Sequence, residues 1–212
     1  YSKDIIGYQN LLKLISTSYM NSKKDSYIEI DDLIGLKEGI IVLTGGNNSI
    51  FKQCKNKIIT NQTNAFVKLL KENFNDDLYM EIQRLGKDHE ILDEYCLLSI
   101  AYDNHLPLVA TNDVFFESPE FYEAHDALTC IEKKLYVSQS DRLRLSDQHY
   151  FKSSDEMKEL FNDLPEAVYN TIEIAEKCSF KPNIQKPILP VFPIKDQTEK
   201  DLITKLSNEG LE

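Results

Sequence analysis

The chain has no long apolar run, no paired cysteines, no paired histidines and few cations, and each absence removes a class of protein. The longest apolar stretches, Ile40-Ile41-Val42-Leu43 and Leu106-Pro107-Leu108-Val109-Ala110, have the length of buried strands. A membrane-spanning helix needs roughly 20 apolar residues. The opening Tyr1-Ser2-Lys3-Asp4 lacks the basic-then-apolar pattern of a signal peptide and has no initiator Met, which points to an excised fragment. Cys54, Cys96, Cys130 and Cys178 stand far apart with no C-x-x-C pair. That spacing argues against a zinc ribbon and a disulfide framework, and favours reduced, mostly buried thiols in a cytoplasmic protein. Neither H-x-H nor H-E-x-x-H occurs among His89, His105, His125 and His149, so no compact metal pair exists. Lys and Arg number 24 against 35 Asp and Glu, a net charge of -11. Duplex DNA binding draws most of its affinity from phosphate neutralisation. This acidic surface is therefore a poor grip for DNA, and Lys133-Lys134 and Arg142-Leu143-Arg144 are too short to form a binding stripe.

What is present describes an ordinary globular α/β protein. The 212 residues, 42% hydrophobic and 28% charged, suit one domain or one domain with a tail. Tyr8, Leu11, Leu12, Ile15 and Tyr19 share a helical face, so the chain opens on an amphipathic helix, followed by a polar loop over 21–26. Asp31 is expected to cap a short helix ending near Gly39. Ile40 to Thr44 reads as a buried strand running into Gly45-Gly46. A helix over about 61–74 turns Phe66, Leu69, Leu70 and Phe74 inward, and Leu78 to Gln83 alternates as a strand. A second helix, Asp88 to about Tyr102, carries Ile91, Leu92, Tyr95, Leu98 and Tyr102 at core spacing and leads to the strand Pro107 to Thr111. Alternating short strands and helices imply parallel strands joined by right-handed crossovers. Chemistry in such folds sits beyond the C-terminal strand ends, here Thr44-Gly45-Gly46 and Thr111-Asn112-Asp113. The remainder turns helical: Ser118-Pro119-Glu120 starts one helix, Ser153 and Glu156 form a capping box, and Pro165 starts a helix carrying Val168, Ile172 and Ala175. Pro182, Pro187, Pro190 and Pro193 make an extended connector, and a last short helix lies near Thr198 to Ser207.

Candidate chemistry is sparse. Gly45-Gly46 fits neither nucleotide-binding glycine pattern and reads as a tight turn. His125, in Ala124-His125-Asp126-Ala127-Leu128, has no histidine at helical spacing and reads as structural; His89 and His149 lie in polar segments and read as surface residues. Asp113 is the most suggestive acid. It reads equally as a metal ligand or base and as a turn aspartate holding 114–118.

Three groups of residues go further. They are Gly7-Tyr8-Gln9-Asn10-Leu11-Leu12-Lys13-Leu14-Ile15; Leu106-Pro107-Leu108-Val109-Ala110-Thr111-Asn112-Asp113-Val114 with Ala124-His125-Asp126-Ala127-Leu128; and Tyr150-Phe151-Lys152-Ser153 followed by Leu160 to Ala167 and Thr171 to Cys178. In this order and spacing, with Ile188 to Pro193 and Asn208 to Leu211 closing the chain, they resemble the alpha subunit of bacterial DNA polymerase III. The resemblance implies the later part of its polymerase-and-histidinol-phosphatase (PHP) domain over 1–178, an incomplete (β/α)7-type barrel with a mostly helical C-terminal part. Residues 179–212 would then be a connector leading towards the polymerase palm.

That resemblance further implies a cytoplasmic replicase subunit whose Mg2+-dependent DNA synthesis and DNA contacts belong to other domains, so that this segment holds no catalytic residue. The domain is implied to dock the proofreading exonuclease subunit and other replicase subunits. In some members it binds a metal cluster and can carry 3'-5' exonuclease activity, so a metal-dependent phosphoesterase is the alternative reading. Ligand count separates the two. Metal-binding members resemble Asn-Asp-x-His where this chain has Asn112-Asp113-Val114-Phe115, Gly-Cys at Gly45-Gly46 and Gln-x-His at Gln83-Arg84-Leu85. Asp113 would then be vestigial, with ligand positions lost at Gly46, Leu85 and Phe115, and no metal or cofactor is expected in this segment. Phe115 is expected to fill the vacated space while Asp113 hydrogen-bonds the turn. An unclosed barrel also leaves a sheet edge open to self-association.

Overall fold

The computed structural model describes residues 1–21, 26–45, 61–86, 90–184, 186–189, 192–194 and 197–211. The expectations placed on Gly46, Cys54, His89, Pro190 and the side chains of Ile91 and Leu92 lie outside the described residues. Contacts divide the chain into two units, Tyr1–Lys181 and Pro182–Glu212.

In the first unit the order is α1 (Ile5–Asn21), α2 (Ile30–Gly35), β1 (Val42–Leu43), α3 (Asn61–Phe74), β2 (Leu78–Gln83), α4 (Glu90–Asp103), β3 (Leu108–Thr111), α5 (Tyr122–Lys133), α6 (Ser154–Leu160) and α7 (Pro165–Lys177). The strands form one parallel sheet in the order β1-β2-β3, with Val42 opposite Leu78 and Met80 opposite Leu108. The mixed α/β class and the parallel pairing are as the alternation of strands and helices implies. Leu78, Met80, Ile82, Leu108 and Ala110 point to one face. There they pack with Val67, Leu70 and Phe74 of α3, Cys96, Ile100 and Ala101 of α4, and Phe161. Ile41, Tyr79 and Val109 point to the other face, against Ile174 of α7. Burial on both faces suits the apolar runs of parallel strands.

The ends of the first helix show how sequence sets packing. Asp4 caps α1: its Oδ1 accepts the Gly7 N–H at 2.8 Å and its carbonyl accepts the Tyr8 N–H at 2.9 Å. Gly7 then sits against the turn at Gly39, whose φ of 72° favours glycine. A Cβ on Gly7 would lie 1.9 Å from the Gly39 carbonyl oxygen. Asn10, one turn on, donates from Nδ2 to the Glu38 carbonyl at 3.0 Å. The buried face of α1 is accordingly Gly7, Asn10 and Leu14, and the expected apolar face fails: Leu12, Ile15 and Tyr19 are exposed.

Helix phase also differs in α4 and α7. Tyr95 and Tyr102 of α4 face outward, Tyr102 donating its hydroxyl to Glu166 at 3.2 Å, while Cys96, Ile100 and Ala101 go in. Apolar residues occupy most of the circumference of α4, so small side chains that let the backbone approach the sheet decide the phase. In α7 Ile172 and Ala175 are exposed, and Ala167 and Ile174 are buried. The α2 cap is Glu29, in a reciprocal box with Asp32, rather than Asp31, and the helix stops at Gly35. The capping box of Ser153 and Glu156 forms as expected.

One arginine ties the pieces together. Arg84, just past β2, makes paired hydrogen bonds to Glu94 of α4 (2.6 and 2.9 Å) and to Asp163 ahead of α7 (2.7 and 2.8 Å), and donates to the Leu160 carbonyl at 2.6 Å. Its guanidinium lies 4.7 Å from the centre of the Phe161 ring. Hydrogen bonds to Asp163 and then Glu94 raise its pKa above the usual arginine value, and Asp163 is held below the usual carboxylate range by Arg84.

The second unit consists of an irregular Pro-containing stretch and α8 (Glu199–Glu209), which Thr198 and Asp201 cap reciprocally. No residue of α8 is buried.

Candidate functional site

Chemistry was expected beyond the C-terminal ends of the strands, and the polar side chains there bind one another. Glu81, on the face of β2 shared with Tyr79 and Gln83, is the hub. Its Oε2 accepts the Gly45 N–H at 2.9 Å. Its Oε1 accepts the Thr111 hydroxyl at 2.5 Å and Gln83 Nε2 at 3.3 Å. Gln83 Nε2 also reaches Thr111 Oγ1 at 3.0 Å, and the Glu81 N–H donates to Thr44 Oγ1 at 3.0 Å. All three strand ends are laced through one carboxylate whose two oxygens are both engaged. The signal for Glu81 was present in the alternation of Leu78 to Gln83, which puts Tyr79, Glu81 and Gln83 together.

Past β3 the chain is zipped to the segment 149–151. Asn112 Nδ2 donates to the Tyr150 carbonyl at 2.6 Å, Phe151 N–H donates to the Phe116 carbonyl at 3.0 Å, and Phe116 bridges Tyr150 in parallel. His149, expected at the surface, is fully buried in this zipper. Its carbonyl accepts the Phe115 N–H at 2.8 Å, and its Nδ1 lies 2.8 Å from the Asp113 carbonyl. A carbonyl can only accept, so His149 carries its proton on Nδ1. A polar neighbourhood in sequence concealed a histidine whose partners come from main chain 34 to 36 residues earlier.

Asp113 holds the turn by its main-chain carbonyl. Its carboxylate is part-exposed, with Oδ2 3.8 Å from His149 Nδ1, beyond hydrogen-bond reach. Phe115 does not fill a vacated interior space: it is half-exposed, its ring 5.6 Å from the rings of His125 and His149, and the neighbouring Phe116 is the one that is buried. Leu85 is wholly enclosed in the core. The sequence positions Leu85, Asp113 and Phe115 thus lie in three different settings: core, turn and surface. No three His, Cys, Asp or Glu side chains are placed to share an ion among the described residues.

Beside Phe115 opens a cleft of about 420 Å³, lined by Tyr122, His125, Asp126, Leu143 and Leu145 among others. Its floor is ionic. Asp126 is buried and takes both terminal nitrogens of Arg142, with Nη2 at 2.6 Å from Oδ2; Arg144 stands 3.5 Å away. The Arg142 hydrogen bonds hold the Asp126 carboxyl below its usual range. Arg142 is buried in this pair, and Arg144 beside it is half-exposed. Cys96 and Cys130 are buried and Cys178 is part-buried.

No family model matches the sequence. Individual proteins do. The DNA polymerase III subunit alpha of Caulobacter vibrioides is 39% identical over 212 residues, covering 97% of this chain and 18% of that protein. That of Rickettsia felis is 38% identical over 99% of the chain and 18% of its own length, and that of Escherichia coli 35% identical over 98% and 18%. Over nearly its whole length the chain is similar to one stretch of these DNA polymerase III alpha subunits. It spans 18% of the length of these relatives. The polar rosette at Glu81 and the zipper at His149 are the two hydrogen-bond systems at the strand ends among the described residues.

Proposed function

We propose that this chain is a non-catalytic, structural and protein-docking part of the PHP domain of a replicative, template-directed DNA polymerase of the cytoplasm. Residues 1–178 form the later part of an incomplete (β/α)7-type barrel, and 179–212 lead towards the palm. Polymerisation, with its Mg2+ ions, and contact with DNA belong to other domains of the longer subunit. The proofreading exonuclease subunit and other replicase subunits are its partners. The metal site of the fold is degenerate here.

One observation carries the reading: similarity to DNA polymerase III alpha subunits, at 35–39% identity, runs over nearly the whole chain. The site chemistry supports it. The strand-end carboxylate Glu81 is engaged on both oxygens, Leu85 is enclosed, and Phe115 offers no lone pair. Catalytic zinc needs at least three protein ligands. The net charge of -11 agrees with DNA contact elsewhere. The test is primer extension on a primed template by the longer protein that contains this stretch, beside the 212-residue chain. Extension by the former alone is expected. Templated incorporation by the isolated chain, or none by the longer protein, overturns the reading.

A further inference from the structure

Helix α5 is built inside out. Its buried side chains are Asp126 and Cys130. Asp126 is bound to Arg142, and the Tyr122 hydroxyl donates to the Leu145 carbonyl at 3.1 Å, so polar groups on the inward face hold the segment 142–145. The outward face is apolar. Phe121, in the turn Pro119–Phe121 that leads into the helix, is 52% exposed, Leu128 63% and Ile131 75%. Ala124 between them and Leu135 just past the helix are exposed as well. These five positions follow one another at steps of three, four, three and four residues. That is the repeat of a seam on which another helix packs. Apolar residues scattered singly over a surface are ordinary. A continuous stripe along a whole helix marks an interaction site.

The charges beside the stripe say which way its occupant runs. Acids stand at its start, Glu117, Glu120 and Glu123, and cations at its end, Lys133 and Lys134. On one flank Glu120, Ala127 and Lys134 recur at seven-residue intervals. A second α5 laid antiparallel about a two-fold axis beside Ala127 brings Glu120 of each copy to Lys134 of the other, and the small Ala127 meets its own equivalent. Within the seam Phe121 then lies opposite Ile131 and Ala124 opposite Leu128, small against large. On the other flank Glu132 meets Ser118 and not another acid. A parallel pair would stack acid on acid and cation on cation, which disfavours it. An isologous interface needs a patch complementary to itself, and this helix carries one.

We propose that the outward face of α5 is a self-association surface, taken up by the same face of a second copy of this chain in an antiparallel two-fold pair. Phe121, Leu128 and Ile131 supply the affinity, and the Glu120–Lys134 pairs set the orientation. The inference goes beyond the docking of other subunits proposed above and does not depend on polymerase activity. Sedimentation equilibrium is measured on the longer protein that contains this stretch and on the 212-residue chain. Both should form dimers as concentration rises. Leu128→Glu, at an exposed position that spares the core, should raise the dissociation constant roughly 10-fold or more, with an unchanged circular dichroism spectrum. Charge reversal gives the specific readout. Glu120→Lys and Lys134→Glu should each weaken pairing by roughly 5-fold. Their equimolar mixture should recover the parent's affinity, because the mixed pair sets Lys against Glu at both contacts. Monomers throughout, dimers indifferent to Leu128→Glu, or a mixture no tighter than its components overturn the proposal. Dimers of the 212-residue chain beside a monomeric longer protein would mean that the stripe is covered within the subunit, and overturn it too.

Discussion

Helices α6 and α8 begin with the same device and end in different circumstances. Ser153 with Glu156, and Thr198 with Asp201, each satisfy two orphan N–H groups reciprocally. Beyond its cap, α6 runs directly into Phe161, which is wholly buried, and Leu164, and is clamped by Arg84 through the Leu160 carbonyl and Asp163. Beyond its cap, α8 buries nothing. A helix of 11 residues held by its cap alone is marginal in water. Local signals therefore decide where a helix starts, and burial decides how firmly it persists.

The largest break in that comparison comes from Phe161→Ala. Loss of a buried phenyl ring costs about 4 kcal/mol through lost transfer and a residual cavity, and also removes the surface beneath Arg84. Urea unfolding of the chain should show the free energy of unfolding falling by that amount, with amide exchange in α8 unchanged. A loss under about 1 kcal/mol would mean that the site collapses freely and that the Arg84 clamp is not seated on a rigid core. Gly7→Ala comes next, at about 3 kcal/mol, the upper end of overpacking. The intruding Cβ meets backbone at Gly39, not a movable side chain, so thermal melting should drop even though alanine favours helix. A stabilised variant would show that α1 does not rest on the 39 turn.

The caps separate the two helices at smaller scale. Ser153→Ala should cost about 1 kcal/mol of global stability and lower the unfolding midpoint accordingly. Thr198→Ala should leave that midpoint in place and lower only the helical signal reported by exchange in α8. Equal global effects from the two variants would contradict the division drawn between them.

The smallest effect is a pH dependence of the α6 cap. Hydrogen bonds from the Tyr150 hydroxyl, then from the Ser153 N–H and hydroxyl, pull the Glu156 carboxyl down from 4.5 to about 2. A depressed acid contributes stability that is complete above its unfolded value and vanishes as pH falls through its folded value. The first turn of α6 should therefore hold at pH 5 and loosen between about 4.5 and 2. Tyr150→Phe should move that loosening to higher pH in amide-exchange profiles of 154–157; an unshifted profile would remove Tyr150 from the account.

Much of the fold was legible. Strands and helices alternate with clear boundaries, and the Ser153 box and Pro165 start are local chemistry that tertiary packing did not need to override. Helix phase was less legible. In α1 the deciding residues are Gly7 and Asn10, a close-approach glycine and a polar side chain whose partner, the Glu38 carbonyl, lies 28 residues away. Hydrophobic periodicity cannot register either. The same limit hid His149, whose partners lie in a distant turn, and Glu81, whose role depends on three strand ends meeting. Asp113 was placed correctly at a strand end, yet the fold uses its carbonyl for the hydrogen bond to His149.

The most direct test of the account is the metal content of the longer subunit containing this stretch, measured after chelation and reloading with zinc or manganese, with and without Asp113→Ala. With Leu85 enclosed, Phe115 unable to ligate and Glu81 engaged by its neighbours, no Asp113-dependent stoichiometric metal is expected, and the two proteins should retain the same trace amount. Metal bound at one or more equivalents in the parent and lost in Asp113→Ala would contradict the account.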